Sequence, residues 1–308
     1  MPPDPVRSRR PLGRTDITIG PLSFGSAPMS SVFWGNDADT AVATARRAVE
    51  VGIGLFDTAP LYGLGEAEER LGVALAGVDN IAIATKAGRT LVGSPGGRDI
   101  GFDFSADATR RQLDASLARL QRDHIDIVHV HDPEDHLDEA VGACLPTLIE
   151  LRDEGVIGAV SVGTTSCATV LHVLDHAEVD AIMLAGRLTL LDQSAVAEVV
   201  PACARLGVPL LAAGVFNSGV LARPQAGSWF DYAPADERVL ARVDELRTRC
   251  DDLGISLRGA AMAFPLQFAP VATVVVGMAS PAEVDDNVAL IETELPADLW
   301  RNLGIDVG

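Results

Sequence analysis

From residue 20 onward, short apolar runs alternate with amphipathic stretches. Eight of the runs read as strands: PLSFG (21–25), GLFDTA (54–59), IAIATK (81–86), IDIVHVHD (125–132), GAVSVG (158–163), DAIMLAG (180–186), PLLAAGV (209–215) and ATVVVG (272–277). They are continuous rather than alternating, which is how strands covered on both faces of a parallel sheet read. Helical periodicity fills the gaps at 38–51, 66–76, 106–121, 139–154, 166–177, 194–206, 235–253 and 281–292, with an additional helix at 257–267. Gly52, Gly155, Gly207 and Gly254 mark helix ends, where a left-handed cap is expected.

Eight βα units in about 290 residues, without a linker or composition break, predict the α/β class and a single (β/α)8 TIM barrel over residues 1–308. A doubly wound sheet is disfavoured because no GxGxxG follows the first strand. Residues 1–19 read as an N-terminal tail and a hairpin plugging the barrel bottom. Two connections, 87–105 and 216–234, are long for a compact domain, and such loops are usually functional or mobile. Both leave C-terminal strand ends, the face on which barrel enzymes keep their active sites.

Composition narrows the function. A formal net charge of −19 argues against nucleic acid and anionic membrane surfaces as partners, since both reward basic patches. No apolar run approaches the roughly 20 residues that cross a bilayer. The basic, proline-rich start lacks the apolar core of a secretory signal. Cys144, Cys167, Cys203 and Cys250 are scattered without metal-ligand spacing, so they read as reduced core thiols, and no metal site is expected. These features predict a cytoplasmic chain, monomer or homodimer.

Lys86 is the single lysine among 24 cationic side chains. An arginine stays charged in any protein setting, whereas a lysine is a compact charge able to tune a neighbour's pKa. Buried at the end of an apolar strand, its ammonium needs a partner. The other strand ends supply candidates: Asp57 at the tip of strand 2 with Tyr62 five residues on, and His131 at the tip of strand 4. A phenol with a reference pKa of about 10 is a poor acid at neutral pH, but a nearby ammonium favours its phenolate. A carboxylate would hold the ammonium, and an imidazole would orient the reacting oxygen. Together they form a proton donor or acceptor beside a C–O bond. His129, two residues deeper on the same side of strand 4, reads as a core histidine.

These residues carry a resemblance. GLFDTAPLYGLGEAEERLG and IDIVHVHDP are similar to signatures of the aldo-keto reductase family, and the likeness runs from LGRTDITIGPLSFG to VVVGMASPAEVDDNV. The resemblance implies that Tyr62 is the general acid/base, that Lys86 lowers its pKa, that Asp57 pairs with the lysine and that His131 orients the carbonyl. It also implies a nicotinamide cofactor. Family members usually hold the carboxamide with Ser-Asn on strand 5, Gln on strand 6 and an aromatic from strand 7. Here these places hold Ser161 and Val162, Ala185, and Ala213, with Phe216 or Asn217 as substitutes. The pyrophosphate is expected against the backbone of 216–221 (including Ser218, Gly219 and Leu221), Gly277 and the helix start at Ser280. Many members bind the 2′-phosphate of NADP with an Arg four residues before an Asn. That Asn is Asn287, and Glu283 stands in the Arg position. No Lys or Arg occurs between Gly259 and Trp300, so NAD is expected in preference to NADP.

Within the family, TAPLYGLGEAEERLG, VHVHDPED and AGRLTLLDQ resemble the branch of L-fucose/D-threo-aldose 1-dehydrogenases and pyridoxal 4-dehydrogenases. The resemblance implies oxidation of an aldose, an L-fucose-like sugar, at C1 to its lactone; Trp34 in the first βα loop and Trp229 in the seventh are candidate substrate walls. The alternatives are pyridoxal 4-dehydrogenation, NADPH-dependent carbonyl reduction in a biosynthetic pathway, and a regulatory subunit that senses redox state through bound nicotinamide.

Overall fold

The computed structural model describes residues 6–92, 99–225, 227–231 and 233–307. Eight parallel strands close a barrel: β1 (Leu22–Gly25), β2 (Leu55–Asp57), β3 (Ala82–Ala87), β4 (Ile125–His131), β5 (Ile157–Thr164), β6 (Ala181–Ala185), β7 (Leu210–Ala213) and β8 (Val271–Gly277). Each pairs with its sequence neighbours, and β8 closes on β1 with Gly277 opposite Gly25. The expected strands therefore all form, each within two residues of its predicted ends. The barrel interior packs Leu55, Ala84, Ile127, Ala159, Met183, Leu211 and Val275. An antiparallel pair, Arg10–Pro11 with Thr18–Ile19, closes the bottom by adding Leu12 and Ile19 to that interior.

Around the barrel run α1 (Ala38–Val51), α2 (Glu66–Ala74), α3 (Ala106–Leu120), α4 (Leu145–Asp153), α5 (Cys167–His176), α6 (Val199–Leu206), α7 (Glu237–Asp252), α8 (Leu257–Ala263) and α9 (Pro281–Glu292). Asp37, Ser105, Ser166, Asp236 and Ser280 cap α1, α3, α5, α7 and α9 by accepting an N–H from the first turn. Three predicted helices are shorter or broken, and each departure lies at a proline. The 139–154 helix passes through a π-helical turn at Ala140–Cys144 before Pro146 in the first turn of α4. The 194–206 helix starts only at Val199, which leaves Pro201 in its first turn. The 257–267 helix ends at Ala263 and continues as a 3-10 turn from Pro265. A proline lacks the N–H that an interior helical position must donate, so the chain shifts each helix boundary to meet it.

The two long connections are partly ordered. The first carries a hairpin of Arg89–Val92 with Asp99–Phe102 directly after β3. The second winds through turns and a short ladder of Trp229–Phe230 with Ala233–Pro234. Glu68 of α2 is fully buried. It accepts hydrogen bonds from Thr85 Oγ1 (2.6 Å) and from Arg119 Nε of α3 (2.6 Å), tying the strand that carries Lys86 to two helices. Glu68→Ala would leave the guanidinium and the hydroxyl without their acceptor, and is expected to cost about 3 kcal/mol of folding stability. Urea melts of the two proteins check this; a difference under about 1 kcal/mol would mean the tie is dispensable.

Candidate active site

The chain leaves β2 through Thr58 and reaches Tyr62 in a tight turn. Gly63, Leu64 and Gly65 follow with φ of 62°, 62° and 95°. A side chain at Gly63 would place its Cβ 2.4 Å from Ser30 Cβ, so only glycine permits this turn. The turn hands over to α2 and aims Tyr62 back across the barrel mouth.

There it meets β3. Lys86 Nζ donates to Asp57 Oδ1 (2.7 Å), Asp57 Oδ2 (2.8 Å) and the carbonyl of Thr58 (2.8 Å). It lies 4.7 Å from the centre of the Tyr62 ring, whose field favours the ammonium. Lys86 and Asp57 are each only 3% exposed. Burial works against the ammonium, but the fields of Asp57 and Tyr62 outweigh it and hold Lys86 above its ordinary pKa. His131 stands edge-on to Tyr62, ring centres 6.4 Å apart. Its Nδ1 is buried without a partner among the described residues. Burial, reinforced by Lys86, Arg89 and His129, pulls its pKa well below the usual value, so the ring is neutral at pH 7. The four residues read from the strand ends thus meet at one point: a charged lysine between a carboxylate and a phenol, with a neutral imidazole opposite. Such a set can pass a proton to or from an oxygen placed between Tyr62 and His131.

His129, read from sequence as core, is fully buried, yet its Nε2 lies 3.7 Å from Asp57 Oδ1. It touches the ion pair from below. Two further groups went unread in the sequence. Arg89, three residues past Lys86, bonds through Nη1 to Asp132 Oδ2 (2.6 Å), and Asp132 follows His131 directly. No spacing rule points to them; only their closeness to Lys86 and His131 hints at a role.

The proposed cofactor residues surround the same mouth. Ser161 Oγ and Asn217 Oδ1 are buried polar atoms without hydrogen-bond partners among the described residues, while Asn217 Nδ2 donates to the Gly186 carbonyl (3.3 Å). A hydroxyl and an amide oxygen lacking partners suit the amide group of a nicotinamide ring. Gly277 packs against Pro28, which would meet an added Cβ at 3.0 Å. Ser280 caps α9 through Glu283 N.

Two features of the structure bear on these expectations. The backbone at 216–221 is not a row of free amides: Asn217, Gly219, Val220 and Leu221 donate within successive turns, and the Leu221 side chain is fully buried. Nor does Glu283 stand on a surface without cations. Its Oε1 accepts from Arg223 Nη2 (2.8 Å) and its Oε2 from Ala279 N (2.8 Å), while Arg258 Nη2 donates to Asn287 Oδ1 (2.6 Å). Both arginines come from outside the 260–299 segment and fold onto it. Phe216 is partly buried against the core, and the short helix Ser31–Trp34 and the ladder leave Trp34 and Trp229 61% and 53% exposed. Among the described residues no His, Cys, Asp and Glu cluster could hold a metal, and no helix is long and apolar enough to cross a membrane.

The buried imidazoles make stability pH-dependent with a definite sign. Burial first, then Lys86, holds His129 well below 6.5, and His131 is lowered likewise. On acidification the unfolded chain takes up protons that the native state refuses, so stability is complete above about pH 6.5 and falls below it. The two rings together should contribute a loss of about 2 kcal/mol per pH unit between pH 6 and 5. Urea melts across this range should give His129→Leu a slope shallower by half that amount. Parallel curves for the two proteins would contradict it.

A model of the Aldo/keto reductase family matches residues 16–304. The D-threo-aldose 1-dehydrogenase of a Pseudomonas species is 36% identical, with 93% of this chain and 94% of that protein covered. The pyridoxal 4-dehydrogenase of Microbacterium luteolum is 34% identical, covering 96% of each. Among solved structures, the holo form of aldo-keto reductase AKR11C1 from Bacillus halodurans superposes with a TM-score of 0.81 at 27% identity, over 97% of this chain and 95% of that one. A barrel with a lysine, a tyrosine, an aspartate and a histidine at its mouth, matched along nearly its whole length, places this chain in the aldo/keto reductase family, as an NAD(P)-dependent oxidoreductase.

Proposed function

We propose that the protein oxidises an aldose, an L-fucose-like sugar, at C1 to the lactone. The observation that carries the chemistry is the contact of Lys86 with both Asp57 oxygens and with Tyr62. The substrate class is drawn from the aldose dehydrogenase relative that is 36% identical over nearly the full chain. In this reading the C1 hydroxyl sits between Tyr62 and His131. Tyr62, as tyrosinate, takes the hydroxyl proton, and the Lys86 ammonium stabilises that anion. Asp57 keeps the ammonium charged and fixed. Neutral His131 turns a ring N–H toward the substrate oxygen and holds it in line. When bound, the oxidised nicotinamide supplies the hydride acceptor; Ser161 and Asn217 would hold its amide. Trp34 and Trp229 would flank the sugar. The pyridoxal 4-dehydrogenase relative supports pyridoxal as the second reading.

NAD remains the proposed cofactor, on changed grounds. Glu283 engages Arg223 and keeps a carboxylate where the resemblance would place a phosphate-binding Arg.

The test is NADH or NADPH formation by the purified protein with L-fucose, D-arabinose, L-galactose and pyridoxal, each with both cofactors. Tyr62→Phe and Lys86→Met should each lower kcat by at least about 100-fold. Turnover of pyridoxal alone would favour the second reading, and retained activity in either variant would remove the proton-transfer scheme. For the cofactor, Glu283→Gln frees Arg223 and should raise kcat/KM with NADP relative to NAD by about tenfold. An unmoved ratio would show that this carboxylate does not select the dinucleotide.

A further inference from the structure

Beside the proton-transfer residues lies a second polar group that the scheme above does not use. Arg89 starts the hairpin three residues after Lys86, and Asp132 follows His131. One carboxylate oxygen, Asp132 Oδ2, sits 2.6 Å from Arg89 Nη1 and 3.7 Å from His131 Nε2. It therefore lies between the guanidinium and the His131 ring. Both side chains remain partly open, 31% and 26% exposed, beside neighbours that are almost fully buried.

The pair is held in place and yet unsaturated. The hairpin register sets Arg89 opposite Phe102, whose ring lies 5.9 Å from the guanidinium. Phe102 in turn packs on His136 with ring centres 4.9 Å apart. Asp132 adopts a left-handed φ of 47°, unusual for a residue other than glycine, with its N–H bonded to the Gly163 carbonyl. Of five guanidinium N–H donors, Arg89 uses one in a side-chain hydrogen bond among the described residues, and its Nε is buried without a partner.

The chemistry of the pair selects its ligand. A carboxylate accepts from a hydroxyl and a guanidinium donates to one, and a sugar hydroxyl does both. An anionic substrate is disfavoured, because Asp132 already neutralises Arg89 and Glu134 adds negative potential nearby. Resting on the reading of this mouth as the substrate site, we infer that Arg89 and Asp132 read the hydroxyl adjacent to the reacting carbon and set specificity for polyhydroxylated, uncharged substrates. They are specificity residues, since the proton-transfer scheme runs through Tyr62 and His131.

The experiment compares two aldehydes of equal chain length, glyceraldehyde and propanal, reduced by the purified protein with NADH or NADPH. The readout is the ratio of their kcat/KM values, which cancels any effect of the substitutions on the common proton-transfer step. Arg89→Met and Asp132→Asn should each lower this ratio at least about tenfold, carried by KM, and Arg89→Lys should restore part of it. A pair that only pins the hairpin would lower both aldehydes equally and depress Tm, leaving the ratio unmoved, which would overturn the inference. L-fucose binding to the NADH-loaded protein, followed by calorimetry, reads the same pair without turnover. Its Kd should rise at least about tenfold in Arg89→Met, and an unchanged Kd with an unmoved ratio rejects the role. Failure of wild-type sugar oxidation with a responsive aldehyde ratio would reject the aldose reading and keep the hydroxyl-reading pair.

Discussion

A primary ammonium out of water is the most demanding group in this barrel, and the mouth is arranged around it. Burying an ion costs several kcal/mol unless its attraction to a counter-ion is joined by full hydrogen bonding. Lys86 has three N–H donors, and they go to the two oxygens of Asp57 and to the Thr58 carbonyl. The Tyr62 ring is kept 4.7 Å from that ammonium, so a negative charge formed on its oxygen would meet a fixed positive one. Strand closure, the glycine turn at 63–65 and the Glu68 tie all hold these atoms in place.

Much of this was legible in the sequence because it depends on local rules. Strand ends on a barrel face one way, so Asp57, Lys86 and His131 had to share a mouth once eight βα units were counted. The lone lysine marked the centre of it. Helix boundaries were legible except where Pro146, Pro201 and Pro265 moved them, and there hydrogen bonding outranked periodicity.

What escaped the sequence depends on contacts between distant segments. The stretch from residue 260 to 299 holds no Lys or Arg, yet Arg223 and Arg258 fold onto it from outside. The approach of His129 to Asp57 depends on the register of β3 against β4, where Lys86 lies opposite His129. Arg89 meets Asp132 only because a hairpin doubles back over the mouth within a stretch that read as an undivided loop. Such meetings have no periodic signature, since they are set by how elements pack.

The solitary lysine has one more consequence. Reducing sugars in their open-chain form condense with exposed ε-amines to Schiff bases, which rearrange into stable adducts. A chain proposed to handle aldoses carries 23 arginines and one lysine, and that lysine is 97% shielded and hydrogen-bonded to Asp57 and Thr58. Its surface therefore offers no lysine to glycation, and the amine it needs is kept charged and out of reach.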